Sequence, residues 1–547
     1  MSRLVVCGAV AAALAVGAAK PRPAGEPFSV VEASISEMRA ALNERRVTSH
    51  ELVRQSLDRI ARYEARLNAA ITINPRALAD ADARDRERRA GKARGPLHGI
   101  PIALKDNIQT KGMPTTGGAL AFAHLVPPYE ATITRRLRAA GAIIIAKTVM
   151  TELANWVATD MPANYSSLAG FGFNPYDPRP DPRPGSDGRP ILPTGGSSSG
   201  IGTAASFWAA NVGTETSGSI LSPANRTMLV GIKPTVGRIS RYGVIPITAD
   251  QDTPGPMARS VADAVTLLGV LEGSKPDRHD PATRACMPPP KNDYTAFLQA
   301  DALRGARIGV PRAFFYAVLS AEEQQAMTEA IDALRTAGAT IVDPADLPSV
   351  LAPGGDTLQG WPVCSGPEGA KGHDDHCSVV FKYGMKRDFN AWLTALRRRA
   401  PVKSLTELRA WNQAHAREGT LKYGQTLLDI SDEMDVVADR ERYERDRARD
   451  VRLGGSEGID AALRAHQLDA LLFPGNIGAA AAAKPGYPTV IVPFATVPNA
   501  LAPADVDARP TPFGVSFTAS ACSEPRLIAL AYAFEQATKR RRPPALD

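Results

Sequence analysis

Histidine, cysteine, aromatic residues and long apolar runs are all scarce in this sequence. It has 8 histidines and 5 cysteines in 547 residues, and Phe, Trp and Tyr together make up 6%. Beyond the N-terminus no stretch reaches the roughly 18 apolar residues that a membrane-spanning helix requires, so no stable membrane span is expected. The cysteines follow no zinc spacing. Cys364 and Cys377 bracket the polar loop "SGPEGAKGHDDH", which also carries His373 and His376; a disulfide suits that loop better than a metal. The net charge of +7 comes mostly from arginines scattered among acids, as in "DARDRERRA". With no aromatic platform between them, these residues read as solvated helix faces, and a nucleic-acid partner is not expected.

The composition is otherwise that of a globular protein, with 44% hydrophobic and 22% charged residues. The N-terminus departs from it. "MSRLVVCGAVAAALAVGAAK" has one arginine, an apolar stretch and small residues before Lys20, which is a short secretory signal pattern. The expectation is a signal peptide over residues 1–19, a Pro-rich leader over 20–27, and export to the periplasm or beyond. Cys7 precedes the apolar stretch, so lipidation is not expected. Export would leave Cys286, Cys364, Cys377 and Cys522 where disulfides can form.

Apolar residues at helical spacing (Ile35, Met38, Leu42) predict a first helix, and Thr48 with Glu51 forms a capping box for a second. Pro75 opens a charged third helix that stops at Gly91. Short apolar runs come next at "IPIAL", "AIIIA", "RIGV", "TIVD", "LDALLF", "PTVIVPF" and "FGVSF", separated mostly by helical stretches. This is α/β architecture with a large mixed sheet. A mainly helical stretch over about 322–465 interrupts the strands, within one domain over 28–547.

Two Ser-rich turns lie close together, "TGGSSSGIG" at 194–202 and "GTETSGSI" at 213–220. A phosphate cradle would need a Lys followed by Ser or Thr where Ile201 and Gly202 stand. A flexible linker would not lead straight into compact helical sequence. Catalysis is the remaining reading, and a serine nucleophile needs a base. No histidine lies between His124 and His279, and neither Ser197 nor Ser219 sits in a Gly-x-Ser-x-Gly elbow. Lysine can serve if burial keeps it neutral. Lys105 ends the apolar run of "GPLHGIPIALKDNI", although a lysine at a strand end is ordinarily a solvated cap.

Those three motifs, with "GIKPTVGRISRYGVIPI" and "QDTPGPMARSVADA", stand in the order and spacing of the amidase signature family. The resemblance runs from about residue 28 to 544; "FNAWL", "LTELRAWNQAHA" and the closing "SEPRLIALAYAFEQATKRRRPP" look most like the bacterial peptide amidases within it. It implies a large mixed, mostly parallel twisted sheet covered by helices on both faces, with a catalytic core at about 95–265. It also implies a relay: Ser219 as nucleophile, Ser197 as bridging serine held in a cis peptide, and Lys105 as base. The backbone N–H groups of Thr216, Ser217, Gly218 and Ser219 would form the oxyanion hole. Gly196, Ser198 and Glu215 would support the site, with Ser199 joining its hydrogen bonds.

The resemblance and the signal pattern together imply an exported amidase, with no metal or organic cofactor, that cleaves linear carboxamides or short peptide amides as a monomer or homodimer. An esterase or carbamate hydrolase using the same relay is the alternative. A subunit of a glutamine-hydrolysing complex would need a cytoplasmic partner, and a silent binding protein would not need the intact relay. Departures from the family bear on the substrate: Ser217-Gly218 where two glycines are common, Leu221-Ser222-Pro223 where many members have an arginine, and a long Pro-rich insertion before Thr194. Asp106, Asn107, Asp252 and Arg259 read as scaffold. Tyr487 and Phe494 fit either an acyl pocket or the core.

Overall fold

The computed structural model describes residues 27–352, 356–500, 502 and 505–546. The expected signal segment and all of the leader except Pro27 lie outside the described residues. The first two helices, Ile35–Asn43 and Ser49–Leu67, open on capping boxes in which Ser34 and Thr48 accept from the N–H groups of Glu37 and Glu51. The third, Ala77–Arg89, starts two residues after Pro75, and the chain leaves it through Gly91 at φ +71°.

In chain order the strands are β1 (Ala70–Ile73), β2 (Pro101–Lys105), β3 (Ile143–Thr148), β4 (Tyr165–Ser166), β5 (Gly170–Phe171), β6 (Ala210–Glu215) and β7 (Val230–Lys233). They continue with β8 (Thr253–Ala258), β9 (Arg307–Gly309), β10 (Thr340–Val342), β11 (Ala470–Pro474), β12 (Thr489–Val497) and β13 (Thr511–Thr518). Eleven of them build one mixed sheet in the order β1-β3-β2-β6-β8-β7-β12-β13-β11-β9-β10, while β4 and β5 pair separately. The mixed sheet and its helical covering are as expected, but the balance of directions is not mostly parallel. Parallel pairing joins β3, β2 and β6 on one side and β11, β9 and β10 on the other. The other six neighbouring pairs are antiparallel, including every pair from β6 through β8, β7, β12 and β13 to β11. Helical crossovers impose parallel pairing, as with Thr132–Ala139 between β2 and β3 and Ala321–Thr336 between β9 and β10. The middle of the sheet lacks them between several neighbours.

Alternate residues of β2 enter different cores. Ile102 and Leu104 join the large core with Ile144, Val261 and Leu527, whereas Ala103 packs with Ile60, Ile143 and Ile145 under the second helix. Both sheet faces are therefore dry, and β2, β3, β6, β7 and β8 are buried along their whole length. A further core gathers Phe122, Trp156, Phe381, Phe389, Trp392 and Leu427. It lies between the loop after β3 and the helices within 380–432, and its Trp156, Phe381 and Leu427 supply one wall of a cleft at the end of β6.

Candidate active site

Strands β2 and β6 are parallel neighbours, so the sheet brings Lys105 and the turn after Glu215 to the same edge. Lys105 is fully buried. Its Nζ lies 2.8 Å from Ser197 Oγ, 2.9 Å from Thr214 Oγ1 and 3.2 Å from the Thr214 carbonyl. No carboxylate among the described residues pairs with it. Burial therefore pushes its pKa from 10.5 down to about 7, against an opposing pull from the charges of Asp252 and Glu215.

The Gly-Ser loop and the turn after β6 fit together through residues that tolerate nothing larger. Gly195 has φ +89°, and a Cβ there would lie 2.5 Å from the Ser222 carbonyl oxygen. A Cβ on Gly196 would meet Ser219 Cα at 3.0 Å. Ser198 ties the two segments, donating its N–H to the Ser219 carbonyl (3.2 Å) and its hydroxyl to the Thr214 carbonyl (3.0 Å) while accepting from Thr214 N–H (3.1 Å). Ser199, expected to share this work, contributes less: its hydroxyl accepts from Ile201 N–H at 3.4 Å. The peptide bonds flanking Ser197 are trans, contrary to the implied cis geometry; the cis bond among the described residues is Asp343–Pro344. A non-proline cis bond costs about 3–4 kcal/mol, and left-handed Gly195 closes the loop without one.

The turn that presents Ser219 hangs on a buried carboxylate. One oxygen of Glu215 accepts from the N–H groups of Ile220 (2.7 Å) and Leu221 (2.9 Å), which start the helix Leu221–Arg226. Gly218 takes φ +84° between Ser217, which is exposed, and Ser219, which is half-buried. The N–H groups of Thr216, Ser217, Gly218 and Ser219 have no acceptor among the described residues. Ser217 and Ser219 face a cleft of about 300 Å³ lined also by Asn155, Trp156, Ile247, Val363, Phe381 and Leu427.

The scaffold readings agree with the contacts. Asp106 pairs with Lys147 at 3.0 Å and accepts from Thr116 N–H, and Asn107 donates to Thr214 Oγ1 at 3.0 Å. Asp252, pushed up to about 7 by burial, accepts from the Thr216 hydroxyl and from the N–H groups of Ile247 and Thr248. Arg259 donates to the carbonyls of Thr203, Trp208 and Ala33. Phe494 packs against Phe534 in the core, and Tyr487 bonds to Asp460, so neither lines this cleft.

Two site residues carried no notice in sequence. Thr214 sits inside a quoted motif, but only the parallel pairing shows that its side chain turns toward Lys105. Asn164, in the left-handed region at φ +57°, donates to the carbonyls of Gly196 and Ser198 and so fixes the bridging loop. Asparagine tolerates that conformation better than most residues. Cys364 and Cys377 form a disulfide, as their loop suggests, and Cys286 pairs with Cys522.

A family model described as Amidase matches residues 51–528. A protein of Arabidopsis thaliana named as a probable amidase is 33% identical over 536 residues, covering 97% of this chain and 95% of its own. Native peptide amidase from Stenotrophomonas maltophilia superposes with a TM-score of 0.79 at 38% identity, over 95% of this chain and all of that one. An amidase family protein from Bacillus anthracis gives a TM-score of 0.79 at 31% identity, over 94% of this chain and 93% of its own.

Proposed function

The chain belongs to the amidase family, hydrolases that act on amides, and from that premise we propose that it cleaves linear carboxamides, C-terminal peptide amides foremost, through an acyl-serine on Ser219. The observation that carries this reading is the buried Lys105 amine 2.8 Å from Ser197, with burial outweighing the pull of Asp252 and Glu215 and no carboxylate in contact with it.

The hydrogen bonds around Lys105 support the first step of the relay. An uncharged amine has two hydrogens and one lone pair. Thr214 offers a carbonyl and a hydroxyl to those hydrogens, which leaves the lone pair for the Ser197 hydroxyl. Lys105 takes the Ser197 proton as Ser197 takes that of Ser219, and the Ser219 oxygen attacks the amide carbon. Negative charge then builds on the carbonyl oxygen, where the unpaired N–H groups of residues 216–219 receive it; each such donor is worth about 3–4 kcal/mol in other enzymes. Reversing the relay protonates the departing ammonia or amine. Water enters by the same path to release the carboxylate, with Lys105 again accepting and returning the proton.

Export is part of the proposal. Two disulfides support it, because such bonds persist in oxidising compartments.

The test is ammonia release from peptide amides and from simple aryl and alkyl amides, with wild type beside Ser219→Ala. Turnover lost in the variant supports the relay. A folded wild type that turns over matched esters but no amide would overturn the amide reading in favour of an esterase.

A further inference from the structure

Three consecutive residues beside the catalytic cleft sit in the left-handed region, and none is a glycine: Leu153 at φ +42°, Ala154 at φ +59° and Asn155 at φ +71°. Asparagine visits that region readily, whereas leucine and alanine do so at a cost. The surroundings hold the segment there. Leu153 donates its N–H to the Gly117 carbonyl (2.8 Å), the preceding Glu152 accepts from Ser167 N–H (2.7 Å), and the indole of Trp156 donates to Ser431 Oγ (2.9 Å). Leu153 and Trp156 are buried in the same core, while Asn155 between them is exposed on the cleft wall. Backbone cost of this kind persists where it presents a functional group.

Asn155 shares the cleft with Ser219, and its carboxamide has no hydrogen-bond partner among the described residues. Other polar side chains of the wall are spent: the Thr216 hydroxyl is given to Asp252, and that of Thr159 is shared with Thr426. No charged residue lines the cleft, so a free ammonium or carboxylate finds no counter-ion there. Ser217 and Ser365 add hydroxyls, but a carboxamide sets a donor and an acceptor in one plane. Its complement is a neutral group with an N–H and a C=O of its own, which is a peptide group.

We propose that Asn155 is a specificity-determining residue that hydrogen-bonds the peptide group joining the amidated residue to the one before it, and so directs the enzyme to N-acylated amides over simple alkyl amides. The inference rests on the amidase reading and deepens it. The bond is made to a part of the substrate that the relay leaves untouched, so it decides which amide is held against Ser219 and not the chemistry at Lys105.

The experiment measures kcat/KM on N-acetyl-leucinamide and on 4-methylpentanamide, the same amide without its acetylamino group, for wild type, Asn155→Gly and Ala154→Gly. Glycine accepts the left-handed backbone at either position, so Asn155→Gly removes the carboxamide and Ala154→Gly reports the backbone. Wild type should prefer the acetylated amide by about 10-fold or more. Asn155→Gly should cut that preference by about 3-fold to 10-fold, the worth of one hydrogen bond, and Ala154→Gly should keep it. Equal wild-type rates on the two amides, a preference unmoved in Asn155→Gly, or the same loss in Ala154→Gly would overturn the role of Asn155 alone. Absence of turnover on both amides by wild type would overturn the amidase reading and this role with it.

Discussion

Lys105 makes the sharpest prediction, because its burial should set both the pH profile and part of the stability. At a pKa of 10.5 one lysine in roughly 3,000 is neutral at pH 7, whereas at about 7 half are. The dry site thus raises the competent fraction by roughly a thousandfold. The plot of kcat/KM against pH should rise through about pH 7 and level off above pH 8. Asp252→Asn removes a negative charge that holds the Lys105 proton, but Asp252 is itself pushed up to about 7 and is largely neutral below that, so the acid limb should move only slightly to lower pH. The variant can keep its geometry, since the remaining oxygen accepts from Ile247 and Thr248 while the amide faces Thr216. The stability consequence carries the opposite sign from an ordinary paired lysine. The unfolded chain binds this proton up to pH 10.5 and the native one releases it near 7, so native stability rises with pH across that window. Lys105→Met should abolish turnover and remove that slope. At pH 7 it should recover about 4–5 kcal/mol of buried-charge cost, less about 1 kcal/mol for the hydrogen bond lost at Ser197. Denaturant titrations at pH 7 and 10 would read both effects. An acid limb near pH 10, or a Lys105→Met protein no more stable than wild type at pH 7, would refute the neutral buried base.

Gly196→Ala places a methyl 3.0 Å from Ser219 Cα and 3.1 Å from the Gly218 carbonyl oxygen, so the nucleophile must shift. The contact calls for a shift of a few tenths of an ångström, short of the 1 Å that costs about 100-fold in rate, so kcat should fall by about 3-fold to 10-fold with an unchanged circular-dichroism spectrum. The Cys364→Ser, Cys377→Ser double variant unpins the loop that carries Val363 and Ser365 to the cleft. It should raise KM more than it lowers kcat and destabilise by about 3 kcal/mol, as expected for a closed loop of this length. Steady-state kinetics and thermal unfolding check the two halves.

The strands legible in sequence were those with apolar runs: β2, β3 and β9 through β13. Strand β6 ("ANVGTE"), β7 ("VGIK") and β8 ("TPGPMA") went unread because glycine, threonine and proline break the run. Their burial comes from neighbours on both faces and not from their own hydrophobicity. Strand direction was likewise unwritten, since an apolar run has no polarity. At the site, Lys105, Ser197 and Ser219 follow from the family resemblance, whereas the residues alone make Lys105 a solvated cap at a strand end. The cleft was not legible, for Asn155, Val363, Phe381 and Leu427 arrive from loops and helices far apart in the chain. Cys286 and Cys522, 236 residues apart, offered no spacing to read.

Among the described residues the fold buries four lysines completely, Lys105, Lys147, Lys233 and Lys382, and what separates a base from a strut among them is the partner. Lys382 donates to Asp374, and Lys147 to Asp106. Lys233, pushed down to about 8, donates to the Tyr487 carbonyl under the field of Glu215 and Glu524. Lys147 also donates to the Thr115 hydroxyl at 3.0 Å, but the paired Asp106 carboxylate opposes the loss of its charge, which no contact does for Lys105. Lys105 and Lys147 lie at the ends of adjacent parallel strands with similar sequences, "PIALK" and "IIIAKT", and sequence pattern alone does not distinguish them. Geometry does. Asp106 comes directly after Lys105, but successive residues at a strand end point to opposite sides, so its carboxylate crosses to Lys147. The acid nearest in sequence is thereby spent on the neighbouring lysine. Lys105 is left dry and uncompensated beside Ser197, and that misalignment of one residue is what makes it basic at the pH where it would work.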